Sequence, residues 1–493
     1  MGNHIIKQYY DNIYGYIDLR KDQFGEILRD PFFLRLHKIK QMGLTHYVFP
    51  DAVHSRFAHS LGVYFIVSRM INAQKRLGES NIISEEDAYK FQLSALLHDI
   101  GHLPLSHTIE SALDDFDKFE QDTSGQHADD SSTVPLIENG NSKKPAALHE
   151  KLAENVLQAS DIDIFLEKQN ISSLDISAGF KGDFANASED EFAIIDVYRS
   201  QIRNFLHSQL DADRIDYLLR DSSFSGLKTG GIDLDKIINS MVYDKSKSYG
   251  IDESAIHATD QFFLSRFVAY CQIVGNKNVM SFEYMAKDLY YRLLKIKKET
   301  DFKLSNDTYS LNEIKRDILP NRPDIFLRFT DDYFFAIVNE VLMREQEIKK
   351  IDPMIIRYAE RITRIEPMVP ITFIEYFSDL LSENCFIDVL RSDEEMKRSV
   401  CEEAGIQLNE LIIPNPLEVK MFKNDEDLLQ VFSKNIQKCD NISKHPASIL
   451  HYLGDKKIVI QRIYTLDWRS KEQIRKVLSK YAKDYKFSGD LCD

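Results

Sequence analysis

The pair His98-Asp99, set in the run QLSALLHDIGHLPLSH, constrains this chain more than any other feature. The apolar pattern before it predicts a helix over 84–103, opened by the capping-box-like SEED and closed before Pro104. Neighbouring side chains on a helix point about 100° apart, so an imidazole beside a carboxylate can converge only on something in a flanking cleft. A divalent metal is what such a pair suits. Two further ligand types stand elsewhere: His59 in RFAHSLG and Asp213 in DADRIDYLLRD. Taken singly these are weak signals, because a lone buried histidine is more often a hydrogen-bonded core residue than a ligand.

Context changes that weighing. RFAHSLG, LLHDIGHLPLSH and DADRIDYLLRD, in that order, resemble the HD-domain metal phosphohydrolases. Within them the chain is most similar to the deoxynucleoside triphosphate triphosphohydrolases, the group of bacterial dGTPases and the vertebrate SAM-and-HD-domain enzyme. The resemblance runs from about residue 5 to residue 350, from YYDNIYGYIDL through KIKQMGLTHYVFPDAVHSRFAHSLG to LRFTDDYFF. It implies that His59, His98, Asp99 and Asp213 are metal ligands. Two imidazoles with two carboxylates suit Fe, Mn, Zn or Co, where an all-carboxylate set would favour Mg or Ca. Such an ion acidifies a bound water and polarises a phosphoryl oxygen. A second ion, Mg²⁺, is implied with the substrate phosphates.

After the HD pair come His102, His107 and Glu110, and later His149-Glu150. Histidines clustered near a metal pair are candidates for proton donation, because imidazole titrates near working pH. The resemblance makes His107 the general acid, with His102, Glu110 and His149 completing a hydrogen-bonded catalytic group; Glu110 replaces an aspartate of the vertebrate enzyme. Asp213, Tyr217 and Asp221 fall at i, i+4 and i+8, one stripe of a helix that can face the same cleft, with Ile215, Leu218 and Leu219 off it. By resemblance Tyr217 packs on the sugar, Asp221 and Gln41 bind the 3′-hydroxyl, and Met42 stands near the 2′ position. Arg56, Arg214 and Arg266 match phosphate-holding positions, a task for which the guanidinium fork is suited.

There are departures. The family's histidine and tyrosine after Arg266 are Tyr270 and Val274 here, and its His-Lys pair is Asn276-Lys277. The guanine-activator pocket of the vertebrate enzyme is matched by Arg29, Leu34 and His37, which do not carry that specificity over.

The fold expected is mainly α: an HD-domain helical core with a short N-terminal β-hairpin over about 5–20 and a small mixed α/β C-terminal region. Helices are expected over 32–43 (with Gly43 as the stop), 56–77, 193–222 and 253–298. Polar, turn-rich stretches at 114–146 and 168–192 are expected to be surface excursions, the alternative for the first being a lid over the cleft. The division expected is a phosphohydrolase core at 1–354, carrying a polar insertion at 114–148, and an accessory region at 355–493 serving oligomerisation or regulation. Within the tail, LIIP and KKIVIQRIYTL suggest strands and SKEQIRKVLSKY a helix.

A net charge of −16 argues against holding duplex nucleic acid by the overall field. Five scattered cysteines with no CxxC pair suit a reducing cytoplasm. No apolar run approaches the roughly 20 residues of a membrane helix, and the N-terminus lacks a signal-peptide core. The function expected is hydrolysis of a deoxynucleoside triphosphate to deoxynucleoside and inorganic triphosphate by a cytoplasmic homo-oligomer, tetramer or hexamer, with a nucleotide activator. Other HD phosphohydrolases (a 5′-nucleotidase or phosphodiesterase) and a nucleotide-sensing module are the alternatives, and an antiviral role is a further implication of the resemblance alone.

Overall fold

A computed structural model gives the fold; it describes residues 6–76, 83–124, 147–181, 205–229, 231–243, 249–300, 302–378, 385–420, 429–433, 436–454 and 456–485. The fold is mainly helical, with the hairpin at one end of the sequence and small mixed sheets at the other. Strands β1 (Ile6–Asp11) and β2 (Gly15–Arg20) pair antiparallel. Asp11 builds their turn by accepting hydrogen bonds from the backbone N–H groups of Ile13 and Tyr14.

The stretch 32–43 is not one helix. Asp30 caps a single turn at Pro31–Leu34, and the chain then passes into 3₁₀ turns at Arg35–Lys38 and Gly43–Tyr47. The cause is that backbone groups here serve distant partners. Ile39 is extended, Lys40 N–H donates to the Asp331 carboxylate, and Gln41 N–H donates to the His54 carbonyl. Gly43 opens a turn at φ 49° and stops no helix.

Helix α1 (Arg56–Arg76) starts where the Ser55 hydroxyl accepts from Ala58 N–H. Helix α2 (Glu85–Leu97) is capped by Ser84 and stops at Leu97, short of the expected 103, so the HD pair begins a turn. Helix α3 (His107–Ser124) runs well into the stretch expected to be a polar excursion. Its charged residues mask a buried stripe of Ala112, Leu113 and Phe116, with Phe119 packed beside it. Residues 125–146 of that stretch lie outside the described residues.

Helices α4 (Leu148–Gln158) and α5 (Ser173–Lys181) follow, the second inside the other expected excursion. The rest of that excursion and the first part of the helix expected over 193–222 fall in 182–204, outside the described residues. Helix α6 (Ala212–Ser225) is capped by Asp211 and ended by Gly226 at φ 75°. The expected helix over 253–298 is two, α7 (Ile256–Ala269) and α8 (Lys277–Glu299). A π turn at Tyr270–Val274 follows α7, and the Asn276 side chain caps α8. Helices α9 (Asp331–Met343) and α10 (Pro353–Arg364) complete the helical body.

Toward the C-terminus β5 (Val369–Ser378) and β6 (Leu417–Lys420) flank β9 (Lys457–Thr465) in an antiparallel sheet. Helix α11 (Lys471–Tyr481) packs Ile474, Val477 and Leu478 against it; LIIP contributes only a bridge from Ile412 to Tyr464. Strands β7 (Gln430–Ser433) and β8 (Ile436–Asn441) join β3 (Met241–Tyr243) and β4 (Tyr249–Asp252) in a second sheet, β7 running parallel to β4. The C-terminal region is therefore stitched into the helical body.

Two apolar clusters meet along α1. Phe57, Leu61 and Tyr64 enter one, and Val63, Ile66, Val67 and Met70 the other. With each such burial worth about 1.5–3 kcal/mol, α1 is held from both sides and its N-terminal end, carrying His59, is a fixed platform. Among the described residues no helix is long and apolar enough to cross a membrane.

Candidate metal centre

The structure brings His59, His98, Asp99 and Asp213 together from three elements. His59 lies in the first turn of α1, His98 and Asp99 in the turn after α2, and Asp213 in the first turn of α6. His59 Nε2 lies 3.2 Å from His98 Nε2 and 3.0 Å from an Asp213 oxygen. Asp99 approaches His98 Nε2 to 3.3 Å and His59 Nε2 to 3.8 Å. His59, His98 and Asp99 are buried, whereas Asp213 keeps 35% of its side chain exposed and marks the open side.

Tautomers supply the test of whether a cation fits. His98 Nδ1 lies 2.8 Å from the Ala95 carbonyl and must carry a proton to donate to it. His59 Nδ1 lies 2.7 Å from an Asp216 carboxylate oxygen and is fixed in the same way. Both Nε2 lone pairs then point inward, at each other and at carboxylate oxygens. Such a cage of acceptors is costly unless a positive charge sits among them. Metal–ligand bonds of about 2.0–2.2 Å put neighbouring ligands about 3.0–3.4 Å apart; the His59–Asp213, His59–His98 and His98–Asp99 spacings fall in that range, and the two cross-pairs, His59–Asp99 and His98–Asp213, stand wider at 3.8 Å. Burial disfavours charge on His59, but Asp213 and Asp216 outweigh it and push its pKa up to about 10: the surrounding carboxylates favour positive charge here, and a metal would take the place of the Nε2 proton. The donor set fits a divalent transition metal.

A buried ionic cluster stands behind His59. Asp216 accepts from His59, from Arg220 Nε at 2.9 Å and Nη2 at 3.0 Å, and from the Tyr14 hydroxyl at 2.8 Å. Arg220 also donates to Asp11 at 2.8 Å, tying the hairpin turn to the centre. Gly62 makes room for this: a Cβ there would lie 1.8 Å from an Asp216 oxygen. None of Asp216, Arg220, Asp11, Tyr14 and Gly62 was expected from the sequence. The signal available was a second stripe, since Asp216 and Arg220 stand at i, i+4 one step round from Asp213, Tyr217 and Asp221.

Next to the centre, His102, His107 and His149 surround Glu110. Nδ1 of His107 and Nδ1 of His149 each lie 3.1 Å from one Glu110 oxygen. His102 Nδ1 is 2.7 Å from the other oxygen without hydrogen-bond alignment, and its ring stacks on His149 at 3.8 Å. Because His102 Nε2 is also 3.1 Å from Asp99, this imidazole bridges the two clusters. Burial opposes ionisation of Glu110, yet the three imidazoles outweigh it and hold its carboxyl well below the usual range. His107 is the exposed member, with 68% of its side chain open to solvent.

The expected substrate residues divide. Gln41 Oε1 and Arg266 Nε and Nη1 are buried without a hydrogen-bond partner, so they hold unspent capacity. Arg266 also sits 5.7 Å from the Tyr270 ring centre, and Tyr270 packs edge-on against Tyr217. Met42 packs against the core cluster that also carries Tyr217. Arg56 is engaged inward, with Nη1 on Asp99 at 2.7 Å and Nε on the Ser106 hydroxyl at 2.8 Å. Arg214 is likewise held by Asp211 and the Ser208 carbonyl. Asp221 is met by His54 Nε2 at 2.8 Å, a partner the sequence did not suggest.

The profile of the HD domain family matches residues 56–172, a span that covers His59, the HD pair and the Glu110 cluster. An uncharacterized Bacillus subtilis protein, YwfO, is 29% identical over 288 residues, covering 58% of this chain and 55% of that one. Human deoxynucleoside triphosphate triphosphohydrolase SAMHD1 is 41% identical over 100 residues, 20% of this chain and 16% of its own. The chain thus spans little more than half the length of the first curated relatives it matches. A solved phosphohydrolase from Bacteroides thetaiotaomicron shares the fold at TM-score 0.64 and 21% identity, covering 94% of this chain and all of that one. The chain carries an HD domain at residues 56–172, a domain class that binds divalent metals.

Proposed function

We propose that the protein is a metal-dependent triphosphohydrolase that splits a deoxynucleoside triphosphate into deoxynucleoside and inorganic triphosphate. The observation that carries this reading is the convergence of His59, His98, Asp99 and Asp213, bridged through His102 to the Glu110 cluster that holds the exposed His107. A divalent ion in the cage supplies Lewis-acid polarisation of a phosphoryl oxygen and acidifies an attacking water.

The chain's own residues do the rest. Arg266 pairs with phosphate oxygens, and Arg56 holds Asp99 in its orientation. Arg214 reaches phosphate only by leaving Asp211, which makes it a charge drawn in by the substrate. Tyr217 and Tyr270 form an aromatic wall for the sugar. Gln41, and Asp221 oriented by His54, are the acceptors for its 3′-hydroxyl, with Met42 on the 2′ side. His107 gives a proton to the leaving 5′-oxygen, and Glu110 fixes which ring nitrogen faces the cleft. The resemblance adds a nucleotide activator, Mg²⁺ with the phosphates, a cytoplasmic setting and a homo-oligomer of four or six chains.

A product-resolved screen tests this: the protein is incubated with each deoxynucleoside triphosphate, alone and in pairs, with Mn²⁺ or Mg²⁺. Deoxynucleoside plus triphosphate is the result expected. Monophosphate plus pyrophosphate, or release of single phosphates, assigns the centre to another HD phosphohydrolase; no turnover in any pairing favours a nucleotide-sensing module.

A further inference from the structure

Between the HD turn and α3 the backbone takes an unfavourable course. Leu105 and Ser106 both adopt left-handed conformations, with φ of 52° and 55°. Side chains with a Cβ avoid that region, and two in succession require the surroundings to impose it. His107 follows immediately as the first residue of α3, so this turn sets where its imidazole points.

The constraint comes from far away in the chain. Asp331, buried at the start of α9, accepts from Leu105 N–H at 2.8 Å through one oxygen and from Lys40 N–H at 3.0 Å through the other. Ser106 adds a donated bond to the Lys40 carbonyl at 3.0 Å, and receives Arg56 Nε. On the other side, fully buried Arg35 donates to the carbonyls of Ile100 and His102 and to that of Phe329, two residues before Asp331. An acid at the first position of a helix ordinarily serves that helix's own N–H groups and dipole. Asp331 instead spends both oxygens on other segments.

We propose that Asp331 is a positioning residue for the reaction: one carboxylate that locks the turn carrying His107 to the segment carrying Gln41 and Met42. The proton donor and the sugar-binding side of the cleft are thereby held at a fixed separation. The role of His107 in this statement rests on the triphosphohydrolase reading above; the clamp itself does not.

The test compares Asp331→Ala and Asp331→Asn in wild-type and His107→Ala backgrounds, with metal content, kcat and KM, and amide hydrogen exchange over residues 103–110. Asp331→Ala is expected to keep its metal, leave KM near wild type, lose about 10²-fold in kcat and exchange faster in that peptide. Asp331→Asn, retaining one acceptor oxygen, recovers part of the loss and serves if the alanine variant does not fold. In the His107→Ala background the same substitutions cost little further, because the group they position is gone. Unchanged exchange over 103–110, or an equal kcat loss with His107 already removed, overturns the proposal. Should the wild-type protein turn over no nucleotide, the functional reading fails while the exchange measurement still decides the clamp.

Discussion

Removing the charge of Asp216 without changing its shape asks whether the buried ionic cluster tunes the metal centre. Its two oxygens accept four hydrogen bonds, from His59, twice from Arg220, and from Tyr14. An asparagine has one acceptor oxygen and an NH₂, so Asp216→Asn sets donors against donors on one side. It also leaves Arg220 balanced by Asp11 alone. Breaking a buried ion pair costs about 3–5 kcal/mol; the surviving 2.8 Å contact to Asp11 places the loss near 3. If the NH₂ faces His59, the imidazole relieves the clash by moving its proton to Nε2, which removes a ligand lone pair from the cage. Losing such support typically weakens metal binding by about 10–100-fold, or about 1.4–2.7 kcal/mol. Denaturant unfolding under chelator reads the first quantity, and competitive Mn²⁺ titration reads the second. Destabilised protein that binds Mn²⁺ as tightly as wild type would refute the tautomer argument, because fold and cage would then be independent.

Gly62→Ala forces Asp216 back by roughly 1.5 Å to reach ordinary contact, so loss of several kcal/mol in unfolding free energy is expected, with weakened metal binding; a thermal shift under 1 °C would show that α1 and α6 are not in close register. His107→Ala should lower kcat by about 10²–10⁴-fold while metal content stays at the wild-type level, since this side chain is exposed and lies outside the His59/His98/Asp99/Asp213 cage; loss of metal would move it into the ligand set. Burial works against ionisation of Asp216, but Arg220 and His59 outweigh it and bring its pKa down to about 2. A depressed carboxyl stabilises the fold above its unfolded pKa, so about 2–3 kcal/mol is present at neutral pH and lost as pH falls from about 4 toward 2. Chelated Asp216→Asn protein should therefore show a shallower acid limb in unfolding free energy than chelated wild type.

What could be read from the sequence follows from which interactions are local. The HD pair, the helices around it and the hairpin declare themselves through spacing and caps, and the structure places them close to where the pattern put them. The boundaries missed are those governed by partners distant in the chain. The stretch 32–43 has helical spacing, yet Asp331 and His54 draw its backbone into turns. Charges along 114–124 hid a helix whose buried stripe is Ala112, Leu113 and Phe116. In the site, residue type pointed to the histidines and aspartates. It could not reveal that Arg56 and Arg214 are engaged inward, that His54 meets Asp221, or that Asp11 of the hairpin reaches His59 through Arg220 and Asp216. The Arg214–Asp211 and Arg220–Asp216 pairs are local, but the Arg56–Asp99, His54–Asp221, Asp11–Arg220 and His59–Asp216 links span dozens to hundreds of residues, beyond the range of any periodicity.

Anomalous scattering reads out directly whether His59, His98, Asp99 and Asp213 hold an ion. Crystals grown with Mn²⁺ should give a peak at the Mn absorption edge within about 2.0–2.3 Å of His59 Nε2, His98 Nε2 and oxygens of Asp99 and Asp213. A map with no peak there, or with the ion seated elsewhere and the two imidazoles bonded through protons to the carboxylates, would show that these four side chains form a proton-linked cluster and not a metal centre.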